Sequence, residues 1–253
     1  MLNKIFGSIH LIRTYFTALP RIIFRLSVCL IYNPHETQKF VHQVLSAVDL
    51  ETDDNILKSV SIEEKIPGGG DIQIVGKYYS QRNGGTQILM ELSSLAYLVK
   101  QIKPKIIFEI GTFVGRTTRL LASNSSKDCQ IITLDLPISV VTHKIGEDYI
   151  NTPEESRIQQ EYGDSRTFDF NPWTEKCDFV WVDANHDYNF VVNDTENALK
   201  ILRPGGWIGW HDYRHSAWWS GVTRYIRTLK HQYPNIIHIR GTTIVLLQKP
   251  LNI

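Results

Sequence analysis

Acidic and imidazole side chains follow two hydrophobic segments in the C-terminal half of the chain. Asp183 and His186 come directly after the first segment, and His211 and Asp212 after the second. A histidine, whose pKa is ordinarily about 6.5, can take a proton from a substrate at neutral pH. Neighbouring carboxylates can orient such a base or bind a cation. These residues therefore predict acid–base chemistry, provided that the fold brings them together.

A glycine-containing turn precedes them, in the sequence Glu-Ile-Gly-Thr-Phe-Val-Gly at residues 109–115. Glycine allows the backbone to approach a ligand closely, and the free N–H groups of a helix start can bind polar ligand groups. The Gly-x-x-x-Gly spacing differs from the Gly-x-Gly-x-x-Gly pattern of dinucleotide-binding proteins, which argues against a nicotinamide-dependent dehydrogenase. The carboxylate of Glu109 suits a ligand with an ammonium group better than a pyrophosphate.

Two further acids follow hydrophobic segments. Asp135 ends the segment at 130–135, where a carboxylate can accept hydrogen bonds from both hydroxyls of a ribose. Asp164 lies in a Gly-Asp-Ser sequence and can accept a hydrogen bond from an adenine amino group. Each also has a purely structural interpretation, as a solvated loop acid for Asp135 and as a turn residue for Asp164.

The elements that must position these residues alternate regularly. Hydrophobic runs predict strands at 105–110, 130–135, 158–162, 178–183 and 207–211, and helical spacing predicts helices at 87–102, 115–123, 188–202 and 217–232. A terminal hairpin is predicted at 236–239 and 243–247, and a short strand at 72–75. Strands that alternate with helices indicate an α/β fold with a doubly wound, parallel sheet. Ligands bind such sheets at the carboxyl ends of the strands.

Together these motifs resemble those of class I S-adenosylmethionine-dependent methyltransferases, in the branch of the macrolide and aminocoumarin sugar O-methyltransferases and, more distantly, catechol O-methyltransferase. The resemblance covers about residues 85–250 and is most specific at 182–188 and 202–213. It implies a mostly parallel seven-stranded sheet of order 3-2-1-4-5-7-6, with strand 7 antiparallel and helices on both faces.

The resemblance also implies S-adenosylmethionine as the cofactor. It places Glu109, Gly111 and Gly115 at the methionine part, Asp135 at the ribose and Asp164 at the adenine. The predicted set of cofactor-binding residues is completed by Thr112, Ser165 and Asp183.

The implied reaction is methyl transfer to a hydroxyl group of a small molecule or sugar. We predict His186 as the base, with Asp183 and Asp212 orienting the acceptor directly or through a metal. In the resembling metal-dependent enzymes, acids at these two positions bind Mg²⁺. This chain has His211 where a further acid is usual and Asn185 where the sugar enzymes have a catalytic Asp. Because imidazole suits transition metals better than Mg²⁺, these departures argue against a magnesium site.

Composition excludes other classes of protein. The 253 residues carry a net charge of +1, so a nucleic-acid partner is not expected. Three widely spaced cysteines predict neither a zinc site nor a disulfide framework, and they favour a cytoplasmic protein. Two alternatives stay open: a catalytically silent binding module with the same fold, and a protein methyltransferase.

The chain is predicted to divide into an N-terminal helical arm and cap, residues 1–84, and a cofactor-binding domain, residues 85–253. Residues 1–35 contain four basic residues and no acid, and their hydrophobic residues follow a helical stripe. The stripe is interpreted as packing on the domain or on a second copy of the chain, and alternatively as peripheral contact with an anionic membrane. No hydrophobic run is long enough to predict a membrane-spanning helix.

Overall fold

The computed structural model describes residues 56–75, 85–214 and 221–251, together with the isolated helical positions Ile23, Phe24, Val28 and Tyr32. The chain divides into two compact units, Met1–Ser46 and Ala47–Ile253. Because only four positions among residues 1–35 are described, the predictions for this segment fall almost wholly outside the described residues. Within the described part of the chain, no helix is both long enough and apolar enough to cross a membrane.

Strands and helices alternate through most of the second unit. In chain order the elements are β1 (Lys58–Val60), α1 (Ile62–Lys65), α2 (Gly85–Ile102), β2 (Ile106–Ile110), α3 (Arg116–Asn124), β3 (Gln130–Asp135), β4 (Ile158–Tyr162), β5 (Cys177–Val182), α4 (Tyr188–Ile201), β6 (Leu202–Trp210), α5 (Gly221–Gln232), β7 (Ile237–Ile239) and β8 (Val245–Gln248).

The eight strands of the described residues form one sheet, in the order β1-β7-β8-β6-β5-β2-β3-β4. β8 runs antiparallel to both of its neighbours, and the other pairs are parallel. Without β1, and counted from the β4 edge, this is the predicted order of seven strands with the antiparallel strand in the predicted place. The prediction of fold class is therefore confirmed, and β1 is an additional edge strand.

Hydrophobic side chains cover both faces of the sheet, as expected for strands with continuous apolar runs. On one face Phe108 and Ile110 of β2 pack with residues of α4 and α5. On the other face Ile107 packs with residues of α2 and α3. This double cover leaves the carboxyl ends of the central strands as the place where loops and polar side chains meet.

The segment before α2 differs from the sequence-based expectation in two ways. β1 pairs with β7 although it lies within the predicted cap, so the sheet reaches beyond the predicted domain start. The strand predicted at 72–75 is absent. The backbone N–H and C=O of Gln73 instead form hydrogen bonds with the side-chain amide of Asn124, and both bonds are 2.8 Å long. A covering role for residues 1–84 stays a prediction.

Candidate active site

The turn between β2 and α3 requires glycine. Gly111 has a φ of +104°, and a Cβ there would lie 2.1 Å from the carbonyl oxygen of Asp183. Gly115, with a φ of +80°, is the N-cap of α3. The end of β5 therefore lies directly against this turn, and a side chain at Gly111 would push the two apart.

Glu109 lies behind the turn and is fully buried. One of its carboxylate oxygens accepts hydrogen bonds from the hydroxyls of Thr118 and Thr133. Its other oxygen, Oε1, has no hydrogen-bond partner among the described residues. Burial raises the pKa of Glu109 to about 8, against the lowering effect of the two hydroxyls. The side chain lines neither of the two cavities described below, so its contact with a methionine group stays a prediction.

Asp135 fixes the same turn from the end of β3. Its Oδ2 accepts hydrogen bonds from the N–H groups of Thr112 (3.1 Å) and Phe113 (2.6 Å), and its Oδ1 from that of Leu136 (2.7 Å). Asp135 also lines a cavity of about 320 Å³. Asp164 and other predicted cofactor-binding residues line the same cavity. Asp135 is thus placed both to hold the glycine turn and to face a ligand.

Asp164 lines this first cavity but is paired with a cation. The carboxylate of Asp164 lies 2.5 Å from Nη2 of Arg166, and this bond lowers the pKa of Asp164 to about 2. Arg166 in turn stacks over the ring of Phe190. The carbonyl oxygen of Ser165 accepts a hydrogen bond from the side-chain amide of Asn193. Contact of Asp164 and Ser165 with an adenine stays a prediction.

A second cavity, of about 500 Å³, opens at the ends of β5 and β6. The four acidic and imidazole residues singled out in the sequence all line it: Asp183, His186, His211 and Asp212. The two cavities share part of their walls, namely Gly111, Phe113, Asp183 and Ala184. A ligand that filled the first cavity would therefore meet a second molecule in the other cavity beside Asp183.

The four side chains form one bonded group. Nε2 of His186 lies 2.6 Å from Oδ2 of Asp212. Nδ1 of His211 lies 3.2 Å from Oδ1 of Asp183 and 3.5 Å from Oδ1 of Asp212. Asp212 itself has a φ of +63°, which a residue other than glycine rarely adopts. The prediction that the fold brings these residues together is confirmed by these distances.

The pairing changes the ionisation of these groups. The hydrogen bond that His186 donates to Asp212 raises the pKa of His186 above its usual value, against partial burial. Burial acts to lower the pKa of His211, but the nearby carboxylates, Asp183 first, raise it well above its usual value. Burial acts to raise the pKa of Asp212, but hydrogen bonds from His186 and His211 lower it well below its usual value. Both imidazoles are therefore stabilised as cations.

One member of the group was not predicted from the sequence. Glu91 of α2 lines the second cavity, and its Oε2 lies 3.1 Å from Nε2 of His211. Burial acts to raise the pKa of Glu91, but its bonds with His211 and Thr243 lower it below its usual value. A signal was present in the sequence, since Glu91 stands three residues after Ile88 and four before Leu95, on the apolar stripe of the helix.

The same group contains a candidate metal site. Asp183, His186 and Asp212 each offer one ligand atom, and these atoms lie within 4.8 Å of one another. Such a mixed carboxylate and imidazole set suits Mn²⁺ or another transition metal better than Mg²⁺. Asn185 is not a member of this set, and its side-chain oxygen accepts the N–H of Asp187 at 2.8 Å. Metal binding at Asp183 and Asp212 stays a prediction.

Comparison with known proteins places most of this site, but not Glu91, within a recognised domain. Residues 108–213 match the family model of a methyltransferase domain. The chain has no match among the curated protein sequences.

Solved structures share the fold at low sequence identity. A protein from Klebsiella pneumoniae that has been assigned as an O-methyltransferase is 19% identical over 63% of this chain and 80% of its own, with a TM-score of 0.50. A protein from Staphylococcus aureus that has been assigned as a caffeoyl-CoA O-methyltransferase is 18% identical over 63% of this chain and 83% of its own, with a TM-score of 0.51. The cofactor-bound protein Rv0187 from MTB is 16% identical over 84% of this chain and 90% of its own, also with a TM-score of 0.51.

Proposed function

The chain carries a class I S-adenosylmethionine-dependent methyltransferase domain, and from this premise we propose that it transfers the methyl group to a hydroxyl oxygen of a small molecule or sugar. The observation that carries the proposal is the 2.6 Å pair of His186 and Asp212 on the wall of the second cavity. An alcohol must lose its proton as the new bond to carbon forms, so O-transfer calls for a base at this place.

S-adenosylmethionine supplies a methyl group on a positively charged sulfur, and the transfer is a displacement that depends on close alignment of the two partners. The residues proposed to hold the cofactor surround the first cavity and the glycine turn: Glu109, Gly111, Thr112, Gly115, Asp135, Asp164, Ser165 and Asp183. The turn fits such a ligand because Gly111 leaves the backbone uncovered, and because Asp135 fixes the turn while it faces the cavity.

His186 is proposed to take the proton of the acceptor hydroxyl. Its side chain is half exposed toward solvent, whereas that of Asp212 is mostly buried. Asp212 therefore orients the imidazole through Nε2 and stabilises its positive charge when the proton arrives, as a buried carboxylate does in a catalytic triad. Asp183, bonded to His211 at the junction of the two cavities, orients the acceptor.

The acceptor is proposed to lie in the second cavity. Its wall combines the apolar side chains of Leu92 and Leu95 with the cationic side chain of Arg116. A hydroxylated molecule with an apolar body suits this surface, since apolar walls bind the body and a few polar groups fix its orientation.

The proposal is tested with labelled S-adenosylmethionine and a panel of hydroxylated metabolites and sugars. We expect transfer to oxygen by the wild-type chain and at least about 100-fold less by His186→Ala. A product methylated on nitrogen or carbon would contradict the O-transfer. Cofactor binding without transfer to any small acceptor or peptide would instead support the silent binding module.

The same assay decides whether a metal takes part. Activity is measured in EDTA and after addition of Mg²⁺ or Mn²⁺, with Asp183→Asn beside the wild type. Loss in EDTA that Mn²⁺ restores would support a metal at Asp183 and Asp212. Full activity in EDTA would remove the metal from the proposal and leave both acids as direct orienting groups.

We further propose that residues 1–35 make peripheral contact with an anionic membrane surface. Their four basic residues and the absence of acids support it, as do the exposed side chains of Phe24, Val28 and Tyr32, which are spaced four residues apart and each occupy a helical position. The full chain is expected to sediment with vesicles that contain phosphatidylglycerol, less so in high salt, whereas residues 36–253 stay in solution. Equal sedimentation of both would contradict the proposal, and dimers formed by the full chain alone would favour contact with a second copy.

A further inference from the structure

A buried carboxylate of α2 is held in one orientation at the edge of the second cavity. Glu91 is only 6% exposed. Its Oε1 accepts hydrogen bonds from the N–H of Thr243 at 2.8 Å and from the hydroxyl of Thr243 at 2.7 Å. Its Oε2 faces Nε2 of His211 at 3.1 Å. Because both oxygens are bonded, to groups on two different segments, the carboxylate cannot turn without breaking these bonds.

His211 carries this constraint to the acids of the site. Its Nε2 is bonded to Glu91, and its Nδ1 faces the Oδ1 atoms of Asp183 (3.2 Å) and Asp212 (3.5 Å). The two nitrogens lie on opposite sides of one rigid ring, so fixing Nε2 fixes the direction of Nδ1. The bond made by one imidazole nitrogen determines how the other is presented.

Thr243 provides a second connection. Its hydroxyl donates to Glu91 and accepts the backbone N–H of Asp212 at 3.3 Å. Asp212 has a positive φ, a conformation that persists when surrounding bonds hold it. The Glu91–Thr243 contact therefore also supports the backbone of the residue that pairs with His186.

We infer that Glu91 is a positioning residue for methyl transfer: it fixes His211 and, through His211 and Thr243, the carboxylates of Asp183 and Asp212. The inference rests on the proposed function, since it assigns a task to Glu91 within that reaction. Glu91 lies outside residues 108–213, the part that matches the family model, so α2 contributes to the site from outside the recognised domain.

The first test is Glu91→Gln. Glutamine keeps the size of the side chain and an oxygen for Thr243, but it turns an amide N–H₂ toward Nε2 of His211. We expect kcat to fall by about 100-fold, as misplacement of catalytic groups by about 1 Å can cause. The KM for S-adenosylmethionine should stay within about twofold, because Glu91 does not line the first cavity. A kcat within about twofold of wild type would overturn the inference.

A matched control removes a partner of another buried imidazole. Ser59 Oγ lies 2.8 Å from Nδ1 of His238 at the edge of the sheet, away from both cavities. Ser59→Ala should leave kcat within about twofold of wild type. A loss as large as that of Glu91→Gln would show that general loosening of the fold explains both variants.

A double-mutant cycle separates positioning through His211 from an independent effect. If Glu91 acts through His211, Glu91→Gln should add less than about threefold to the loss caused by His211→Asn. A double variant whose loss in kcat equals the product of the two separate losses would overturn the inference. Should Glu91→Gln fail to fold, Thr243→Val removes the hydroxyl bond to Oε1 of Glu91 with a side chain of equal shape, while the backbone N–H of residue 243 keeps its bond. We then expect a loss in kcat of about tenfold, and an unchanged kcat would overturn the inference.

A measurement without turnover distinguishes failure of this inference from failure of the proposed function. In protein labelled with ¹⁵N-histidine, the Nε2 proton of His211 should exchange slowly with water and should exchange at least about tenfold faster in Glu91→Gln. Equal exchange in both proteins would overturn the positioning role. Slow exchange in a wild-type chain that methylates nothing would count against the proposed function alone.

Discussion

The pair of His186 and Asp212 sets the pH range in which we expect the enzyme to work. His186 accepts a proton only when it is neutral, and the bond to Asp212 raises its pKa above the usual value of about 6.5. The kcat should therefore be lost as the pH falls through this raised pKa. In Asp212→Asn the acidic limb of the profile should move to lower pH, and the plateau should fall by about 10- to 100-fold.

The measurement is kcat against pH at saturating acceptor and cofactor. His186→Ala is the control, and it should lack this acidic limb altogether. An acidic limb at the same pH in the wild type and in Asp212→Asn would contradict the pairing of the two residues.

Glu109 should make stability decrease with rising pH. The pKa of an unfolded glutamate is about 4.3, whereas burial raises that of Glu109 to about 8. Between these values the folded state binds more protons, so the free energy of unfolding falls as pH rises, by at most about 1.4 kcal/mol per unit. Glu109→Gln cannot titrate and should lose this decrease.

Urea denaturation of the cofactor-free chain at pH 5 and at pH 8 measures the effect of Glu109. The exposed Glu147 offers a matched control, and Glu147→Gln should keep the wild-type decrease. Identical pH dependence in the wild type and Glu109→Gln would show that the buried carboxyl group does not hold the extra proton.

At the scale of residues, the sequence predicted the acids and imidazoles that follow strands, because strand ends of one parallel sheet meet at one edge. It did not predict Glu91, since a carboxylate within a helical stripe only becomes part of a site once tertiary packing brings it to His211. The bond of Asp164 to Arg166 was also beyond prediction, because it depends on the path of one loop.

Among the elements, the turn between β2 and α3 tolerates substitution poorly at Gly111. In Gly111→Ala the new Cβ would meet Asp183, and the positive φ alone costs about 1–3 kcal/mol. We expect a loss of at least this size in the free energy of unfolding, together with weaker binding of S-adenosylmethionine. Gly69→Ala is the control, because a Cβ at Gly69 has no atom within 4 Å. Equal stability of the two variants would contradict the close approach of β5.

The long elements could be predicted because each carries its own pattern, such as the apolar run of β2 or the helical stripe of α2. β1 could not be predicted, since Lys58-Ser59-Val60 is too short to show alternation. The segment at 72–75 has the alternation of a strand, yet the side chain of Asn124 satisfies its backbone at Gln73. In both cases a contact distant in sequence decides the structure.

For the whole molecule, the additional edge strand β1 predicts where the chain can be shortened. β1 gives the edge of β7 a partner, and Arg240 donates to the carbonyl groups of both Val60 (2.9 Å) and Ser59 (3.1 Å). A chain of residues 47–253 keeps this strand, whereas residues 85–253 leave β7 with an unpaired edge, a common cause of aggregation.

We expect residues 47–253 to unfold cooperatively, and residues 85–253 to unfold at a temperature at least about 5 °C lower and to form larger particles. Thermal unfolding and light scattering of the two chains measure this. Equal melting temperatures would show that β1 adds nothing to the sheet, and residue 85 would then be a sufficient domain start.

The pairing of β1 with β7 also bears on synthesis at the ribosome. Ser59 and His238 are separated by 179 positions, so the first strand among the described residues pairs with one of the last. Until β7 is translated, β1 has no neighbour in the sheet, while β2, β3 and β4 can already assemble from consecutive segments. Contacts between such distant residues form slowly, and exposed strands meanwhile invite misassembly. Closure of this edge is therefore expected to be a late folding event, and the nascent chain would benefit from chaperones until then.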